Sequence, residues 1–314
     1  MGISRPRAQQ HVEVYLEHLK KFPQTANWPK YLFHAAQVEV AAEILKSRVL
    51  VPRAEQRNLI HDVANQAAIA SNPNALNYAR LYFRPKNSFH LKTEGIKCIG
   101  DPYRDERHMS VPIMLAFDSV SVLTREDVGF AIGKLAHAYA EPEFGEAYFD
   151  TIPFDDVYHD HAPQSRGDEI RNLRMSEVVC KGQLPLEHML GRIVCRTAYD
   201  RATLLYLLGD QADVFRAITA VEQIHGSVFL HKGIYLSKLN FEQDALSFRL
   251  HSPARPPSCG SFQICIRQQA AARVYKAEFQ QECLQLEMRV VGFDSDPQAI
   301  WRIEIEGVLA YFGR

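Results

Sequence analysis

The sequence predicts an α+β fold: a mixed β-sheet core with flanking helices over residues 1–224, followed by a β-rich C-terminal module over residues 225–314. Three observations lead there. Segments of helical periodicity alternate with short β-branched runs up to about residue 224. Strand-like runs punctuated by turn chemistry then take over, without a helical segment between them. At 314 residues and 46% hydrophobic content, the chain has enough apolar material for such a core and a second module. No repeat, low-complexity tract or flexible linker separates the two parts, so they are expected to pack together.

The elements follow in chain order. Val12, Tyr15, Leu16 and Leu19 recur at helical spacing between His11 and Phe22, before the break at Pro23. Tyr31-Leu32-Phe33-His34 is a short strand, and Val38, Ala41, Ala42 and Leu45 mark a helix to about Ser47. Leu59, Val63, Ala67 and Ala70 give a third helix, stopped at Asn72-Pro73 because a residue before proline avoids the helical region. Ala79 to Leu91 interleaves aromatic and basic residues, which suits stacking on planar rings beside phosphates or a half-buried strand with a solvated edge. Val111–Phe117, continuously apolar, is a central strand. Thr124 with Asp127 resembles a capping box opening a helix through Val128, Ile132, Leu135 and Tyr139. A turn-rich loop over Asp155–Asp168 precedes strands near 176–182 and 191–197, and a helix spans about Arg201 to Ile224. The C-terminal strands are expected at 227–236, 246–250, 262–266, 282–291 and 300–312.

Composition excludes several functions. Lysine plus arginine (36) nearly equals aspartate plus glutamate (37), so no global field exists to hold a polyanion, and any nucleic-acid contact must be local. The six cysteines form no C-x-x-C pair, which fits reduced thiols in a cytoplasmic protein. No signal peptide or run of about 18 apolar residues is present, so no membrane is expected. His159 and His161 flank Asp160, but no third ligand stands at a recognisable spacing and no metal is expected. Neither G-x-S-x-G nor a glycine-rich phosphate loop occurs, so a nucleotide would need another device.

One carboxylate stands out. Glu177 opens the β-branched run Val178-Val179-Cys180 directly after an arginine-containing loop, where a charge is costly unless used. Together with Phe33-His34, the helix Val38–Leu45, the segment Tyr78-Ala79-Arg80-Leu81-Tyr82-Phe83-Arg84-Pro85-Lys86-Asn87-Ser88-Phe89, and Leu184-Pro185-Leu186, it occurs in the order and spacing of the DarT family. Over about residues 30–205 the chain resembles these nucleic-acid ADP-ribosyltransferases of toxin–antitoxin and phage-defence systems. The resemblance implies a split-sheet ADP-ribosyltransferase core and NAD as co-substrate. It makes His34 the cofactor-site histidine, Tyr82 and Phe83 the aromatic pair of the dinucleotide cleft, and Glu177 the catalytic glutamate that ends a target-recognition loop over about Phe154–Met175. Ala36 stands at the cofactor-site position where the family has threonine. The family arginine expected near Ile69-Ala70-Ser71-Asn72 is absent, leaving Arg80 and Arg84 as its replacements in the catalytic set, with Arg53 and Arg57 behind them.

The expected chemistry is cleavage of the nicotinamide–ribose bond through an oxocarbenium-like state, with Glu177 opposing the growing charge and removing a proton from the acceptor base. A base inside a duplex must be flipped, so a single strand is the economical substrate. Phe154, Tyr158, Arg166, Arg171 and Arg174 would supply stacking and phosphate contact. The acceptor is single-stranded DNA, with RNA, a non-catalytic NAD- or nucleic-acid-binding module, and a protein-modifying transferase as alternatives. The resemblance also implies an antitoxin protein as partner.

Overall fold

The computed structural model describes residues 2–56, 70–97, 103, 108–137, 140–162, 165–242, 244–251, 261–270, 273–282 and 287–314. Its centre is an eight-stranded sheet in the order β10-β9-β4-β1-β3-β7-β5-β6. The strands are β1 (Tyr31–Gln37), β3 (Tyr78–Tyr82), β4 (Pro112–Asp118), β5 (Val128–Ala131), β6 (Glu143–Phe144), β7 (Glu177–Lys181), β9 (Leu190–Cys195) and β10 (Thr219–Val221). A short pair, β2 (Val49–Leu50) with β8 (Leu184–Pro185), stands apart from it. All neighbours in the large sheet are antiparallel except β9 with β10. The apolar run ending at Phe117 is indeed central: β4 pairs with β1 along its whole length, from Tyr31 opposite Asp118 to Gln37 opposite Pro112. β1 and β3 touch through one register pair, Phe33 opposite Tyr82, which is where the sheet splits.

Beyond β10 the chain forms a three-stranded sheet, β11-β12-β15, and a four-stranded sheet, β14-β13-β16-β17. These are β11 (Tyr235–Phe241), β12 (Ala245–His251), β13 (Ser261–Gln269), β14 (Val274–Glu282), β15 (Glu287–Val291), β16 (Ile300–Ile305) and β17 (Val308–Gly313). They enclose an apolar cluster of their own around Leu246, Phe248, Ile264, Ile266, Ile303 and Ile305. Contact with the larger sheet is direct. The Gln37 and Ser110 side chains both donate to the Leu309 carbonyl, the Phe312 amide donates to Thr203, and Ile96 bridges Ile234. Beside that bridge the backbones of Gly95 and Gly233 approach so closely that a Cβ on Gly233 would sit 2.4 Å from the Gly95 Cα.

Several expected elements differ. The first helix runs Arg5–Leu19, opened by Pro6 in its first turn. The third helix falls largely outside the described residues. Residues 128–131 are strand β5 and not helix, because Val128 and Phe130 bury their side chains while pairing with β7, and Thr124 caps the end of the helix Ser119–Leu123. Tertiary pairing has overridden a helical spacing there. The long helix expected to Ile224 breaks at Gly209 (φ 56°) after Ala198–Leu208, and the chain resumes as Ala212–Arg216 and then β10. The 282–291 run divides between β14 and β15, and 300–312 folds into a hairpin turning at Glu306-Gly307, both at positive φ. The 155–168 segment is partly helical, with helices Phe154–Val157 and Gly167–Leu173 at its two ends.

Phe154 and Tyr158 do not offer their rings to a nucleic acid. They are 4% and 3% exposed, packed with Phe83, Phe149, Tyr15 and His11 from the first helix. A helical turn places both on one side, and that side faces the core. Phe83, expected in the cofactor cleft, is fully buried in the same cluster, and Ala36 is buried opposite Ile113. His11 sits within the aromatic box, 3.1 Å from the Tyr158 hydroxyl, and burial followed by the nearby Arg7 pushes its ring down to about 3. The unfolded chain binds a proton at His11 near pH 6.5 and the folded chain does not, so this residue makes stability fall as pH drops through that window. Wild-type protein should lose about 2 kcal/mol between roughly pH 6.5 and 4.5 on this account. His11→Phe should remove that share of the slope in denaturant melts, and an unchanged slope would mean His11 accepts its proton in the fold.

Candidate active site

Glu177 is the first residue of β7, with Tyr82 of β3 opposite it on one side and Ala131 of β5 on the other. Its side chain is fully buried. Arg80, two residues before Tyr82 and therefore on the same side of β3, grips it bidentately, Nε donating to Oε2 at 2.5 Å and Nη2 to Oε1 at 2.7 Å. The Leu135 amide donates to Oε1 at 3.2 Å. Burial works against the Arg80 cation, but Glu177 beside it outweighs that and holds the guanidinium above its ordinary value. About a quarter of the Arg80 side chain (27%) remains exposed, so one end of the pair meets solvent and the other does not.

The turn after β5 is built around this carboxylate. Ser176 accepts from the Gly133 amide at 2.9 Å, and Gly133 has φ +80° with the Asn172 amide where a Cβ would be. Asn172 in turn accepts from the Lys134 amide. Asn72 donates to the carbonyls of Leu135 (2.8 Å) and Ala140 (2.7 Å), while Ser71 donates to Ala136. Where the sequence lacks the expected arginine, Ser71 and Asn72 thus tie down the turn that presents an amide to Glu177.

His34 lies on β1 with Nδ1 3.0 Å from the Arg80 carbonyl. Burial depresses its basicity; the hydrogen bond to that carbonyl opposes this, and the Arg80 charge adds to it, so the ring is neutral. A carbonyl can only accept, so Nδ1 carries the proton and Nε2 keeps a lone pair. Tyr82 is buried between Glu177 and the ring of Phe89, and burial and then the Glu177 charge raise its hydroxyl far above the ordinary phenol value. His90, on the helix Ser88–Thr93, escaped the sequence reading as a site residue. It is 3% exposed, 6.1 Å from the Tyr82 ring, and neither ring nitrogen has a hydrogen-bond partner. Burial, then His34 and Arg84, push it down to about 3. Buried unpaired polar atoms are rare and mark places where a ligand completes the bonding. A histidine one helical turn after an Asn N-cap gave no motif, so only packing reveals it.

Arg84 belongs elsewhere. It follows the end of β3 and does not join Arg80 at Glu177. Its side chain is 1% exposed, with Nη2 2.6 Å from Asp160, Nη1 donating to the carbonyls of Val157 and His159, and the guanidinium 4.5 Å over Trp28. Lys86 takes the other Asp160 oxygen at 2.7 Å. These two cations hold the 154–160 segment and are occupied in doing so. Of the loop arginines, Arg166 and Arg171 are exposed and paired with Asp156, Glu169 and Asp168. Arg174 reaches His159 at 2.8 Å and also the His161 carbonyl. Arg53 is half-buried in the short turn Arg53–Glu55, and Arg57 lies outside the described residues.

A family model described as "ssDNA thymidine ADP-ribosyltransferase, DarT" matches residues 33–224. The chain belongs to the DarT family. The family's reaction, NAD-dependent ADP-ribosylation of single-stranded DNA, and NAD as its co-substrate follow from that membership. Among solved structures, Thermus sp. 2.9 DarT in complex with ADP-ribosylated ssDNA aligns with a TM-score of 0.51 at 13% identity, over 64% of this chain and 96% of that one. The same organism's DarT with NAD+ aligns at a TM-score of 0.49 and 11% identity, over 64% and 98%. Thermosipho africanus DarTG with ADP-ribose gives 0.47 and 13%, over 68% of this chain and 54% of that one. The first of these likenesses bears on the DarT fold and not on individual residues. No curated protein matches the chain.

The Glu177–Arg80 pair should announce itself in stability. Arg80→Ala leaves a buried carboxylate without its partner and is expected to cost about 3 kcal/mol, whereas Arg84→Ala should loosen the 154–160 segment to limited proteolysis. If Arg80→Ala melts like wild type, the pair is not formed in solution.

Proposed function

We propose that this protein transfers ADP-ribose from NAD to thymine in single-stranded DNA, with Glu177 as the catalytic residue. The observation that carries this is a fully buried carboxylate at the start of a central strand, held by Arg80 and the Leu135 amide beside two neutral histidines, of which His90 has neither ring nitrogen paired. These residues suit a dinucleotide: His34 Nε2 offers an acceptor for a ribose hydroxyl or carboxamide N–H, His90 offers a second buried polar ring, and the exposed end of Arg80 can face the diphosphate. Ala36 and Phe83, being buried in the core, take no direct part.

In the reaction the bond from the nicotinamide nitrogen to the ribose carbon breaks, and its electron pair returns to the ring, which leaves neutral. Positive charge grows on the sugar carbon and Glu177 opposes it electrostatically. An imide nitrogen of thymine bonds to that carbon and its proton passes to the carboxylate. Oε2, which accepts from Arg80 Nε alone, keeps a lone pair for that proton, whereas Oε1 already accepts from both Arg80 and the Leu135 amide.

The chain beyond about residue 225 is read as a second, β-rich domain following a transferase domain of residues 1–224. Cytoplasmic placement fits a nucleic-acid substrate and the buried free thiols of Cys180 and Cys195; no helix among the described residues is long and apolar enough to cross a membrane. A toxin or phage-defence role with an antitoxin partner is in keeping with the DarTG relative from Thermosipho africanus.

Incubation with labelled NAD and single-stranded DNA, duplex DNA, RNA or whole-cell protein tests this: label should enter the single-stranded DNA. Uptake by RNA or protein in its place overturns the proposal. Glu177→Gln should lose at least 10²-fold in transfer while still binding NAD, and more than about a tenth of wild-type activity would clear Glu177 of the role.

The acceptor loop has its own expectation. Replacing Arg166, Arg171 and Arg174 together should reduce DNA modification far more than release of free ADP-ribose, because Arg166 and Arg171 are exposed and all three are paired with groups other than Glu177. With only a few phosphate contacts available, the salt dependence of DNA modification should be shallow. Parallel loss of both activities would show that the loop holds the dinucleotide instead.

A further inference from the structure

Glu222, His225 and His231 converge in the segment that leads from β10 into the C-terminal sheets. Their ligating atoms all lie within 4.8 Å of one another. The Glu222 side chain is 2% exposed and that of His231 8%, and Oε2 of the first stands 2.6 Å from Nε2 of the second. The rings of His225 and His231 are 3.9 Å apart, with His225 at the surface.

What surrounds these atoms is the kind of outer shell that orients ligands. The Val228 and Phe229 amides donate to Glu222 Oε1 at 2.6 and 3.0 Å, which turns Oε2 toward the histidines. The Tyr235 hydroxyl lies 2.8 Å from His231 Nδ1 and leaves Nε2 as the free nitrogen. His231 is held at φ 54°, and its amide and that of Leu230 both donate to Glu94. The loop therefore holds a non-glycine residue in the left-handed region to keep this ring in place. Metal-bound imidazoles have their second nitrogen fixed in this way, and metal-bound carboxylates are themselves hydrogen-bonded.

We propose that Glu222, His225 and His231 bind one divalent transition-metal ion of the zinc class, fastening the end of the eight-stranded sheet to the C-terminal sheets. Ligand atoms around tetrahedral zinc are about 3.3 Å apart for bonds of about 2.0–2.1 Å. The ion would enter between Glu222 Oε2 and His231 Nε2 as these atoms separate by about 0.7 Å from their 2.6 Å contact, and rotation of the exposed His225 ring supplies the third bond. Two imidazoles and one carboxylate suit zinc over magnesium or calcium, which prefer oxygen. The fourth position is left to water. A simple buried His231–Glu222 ion pair would make no use of His225, and that difference decides the test.

The full-length protein is stripped with EDTA, dialysed and titrated with zinc chloride by calorimetry, with thermal melts alongside. One equivalent should bind, and zinc should raise Tm. His225→Ala, at a surface position, should leave the metal-free melt unchanged yet weaken zinc binding by roughly 10-fold or more and abolish the Tm rise, and Glu222→Gln, measured against its own metal-free melt, should likewise lose the rise with zinc. Cobalt(II) bound at the site should show ligand-field bands with no thiolate charge-transfer band. His159→Ala should retain full binding. The proposal falls if binding is not stoichiometric, if His225→Ala binds zinc as wild type does, or if cobalt reports thiolate ligation at the cysteines.

Discussion

A buried carboxylate with one cation beside it sets the terms for the rest of this molecule. Removing a glutamate from water costs several kcal/mol, which the interior returns only when its oxygens are well met. Glu177 is met by two guanidinium N–H groups and one amide. Much of the surrounding structure keeps those donors in place. β3 must lie beside β7 for Arg80 to reach across, the turn after β5 must close over Ser176, and Asn72 must hold that turn from outside. The order β3-β7-β5 is thus a binding site for a charge as much as a sheet.

A second cation–carboxylate knot, Arg84 and Lys86 with Asp160, does for the loop what Arg80 does for the site. Here the charges are joined to an aromatic box, so the first part of the loop is built like core. The loop thereby divides by position. Phe154 to Asp160 is anchored, and the arginines from 166 onward ride on the surface or beside the histidines. An enzyme that must bring a flexible strand to a fixed carboxylate benefits from that division, because misplacement of the acceptor by about 1 Å is costly in rate.

What was legible in the sequence follows from which forces act locally. β1, the helix Val38–Ser47 and β4 were readable because apolar periodicity and proline act within a few residues. Glu177 was readable as an anomaly, a charge opening a β-branched run. The helix expected from Thr124 was not to be had from spacing, since Val128 fits the helical set with Ile132 and Leu135 as well as a strand alternation with Phe130 until β7 pairs with it. Arginines and aromatics between 80 and 174 looked interchangeable as ligands for phosphate and base. Burial separates Arg84, Phe83, Phe154 and Tyr158, which hold the structure, from Arg80 and the later arginines, while Tyr82, also buried, is set apart by its place opposite Glu177. His90 and the Glu222–His225–His231 cluster leave no local trace, since their meaning lies in what they face.

β1 joins these regions. His34 touches the Arg80 carbonyl at its middle, and three residues later Gln37 donates to the Ser110 side chain and to the Leu309 carbonyl while accepting from the Val111 amide. The strand that carries the site's neutral histidine is therefore fixed at its C-terminal end by the last strand of the chain. Leu309 also packs in the same apolar cluster as β1 and β4. A change that frees β17 would release Gln37 and, through a seven-residue strand paired along its whole length to β4, act on the position of His34. Interiors are close-packed and transmit such displacement with little loss. The C-terminal sheets are thus tied directly to β1, the strand that carries His34.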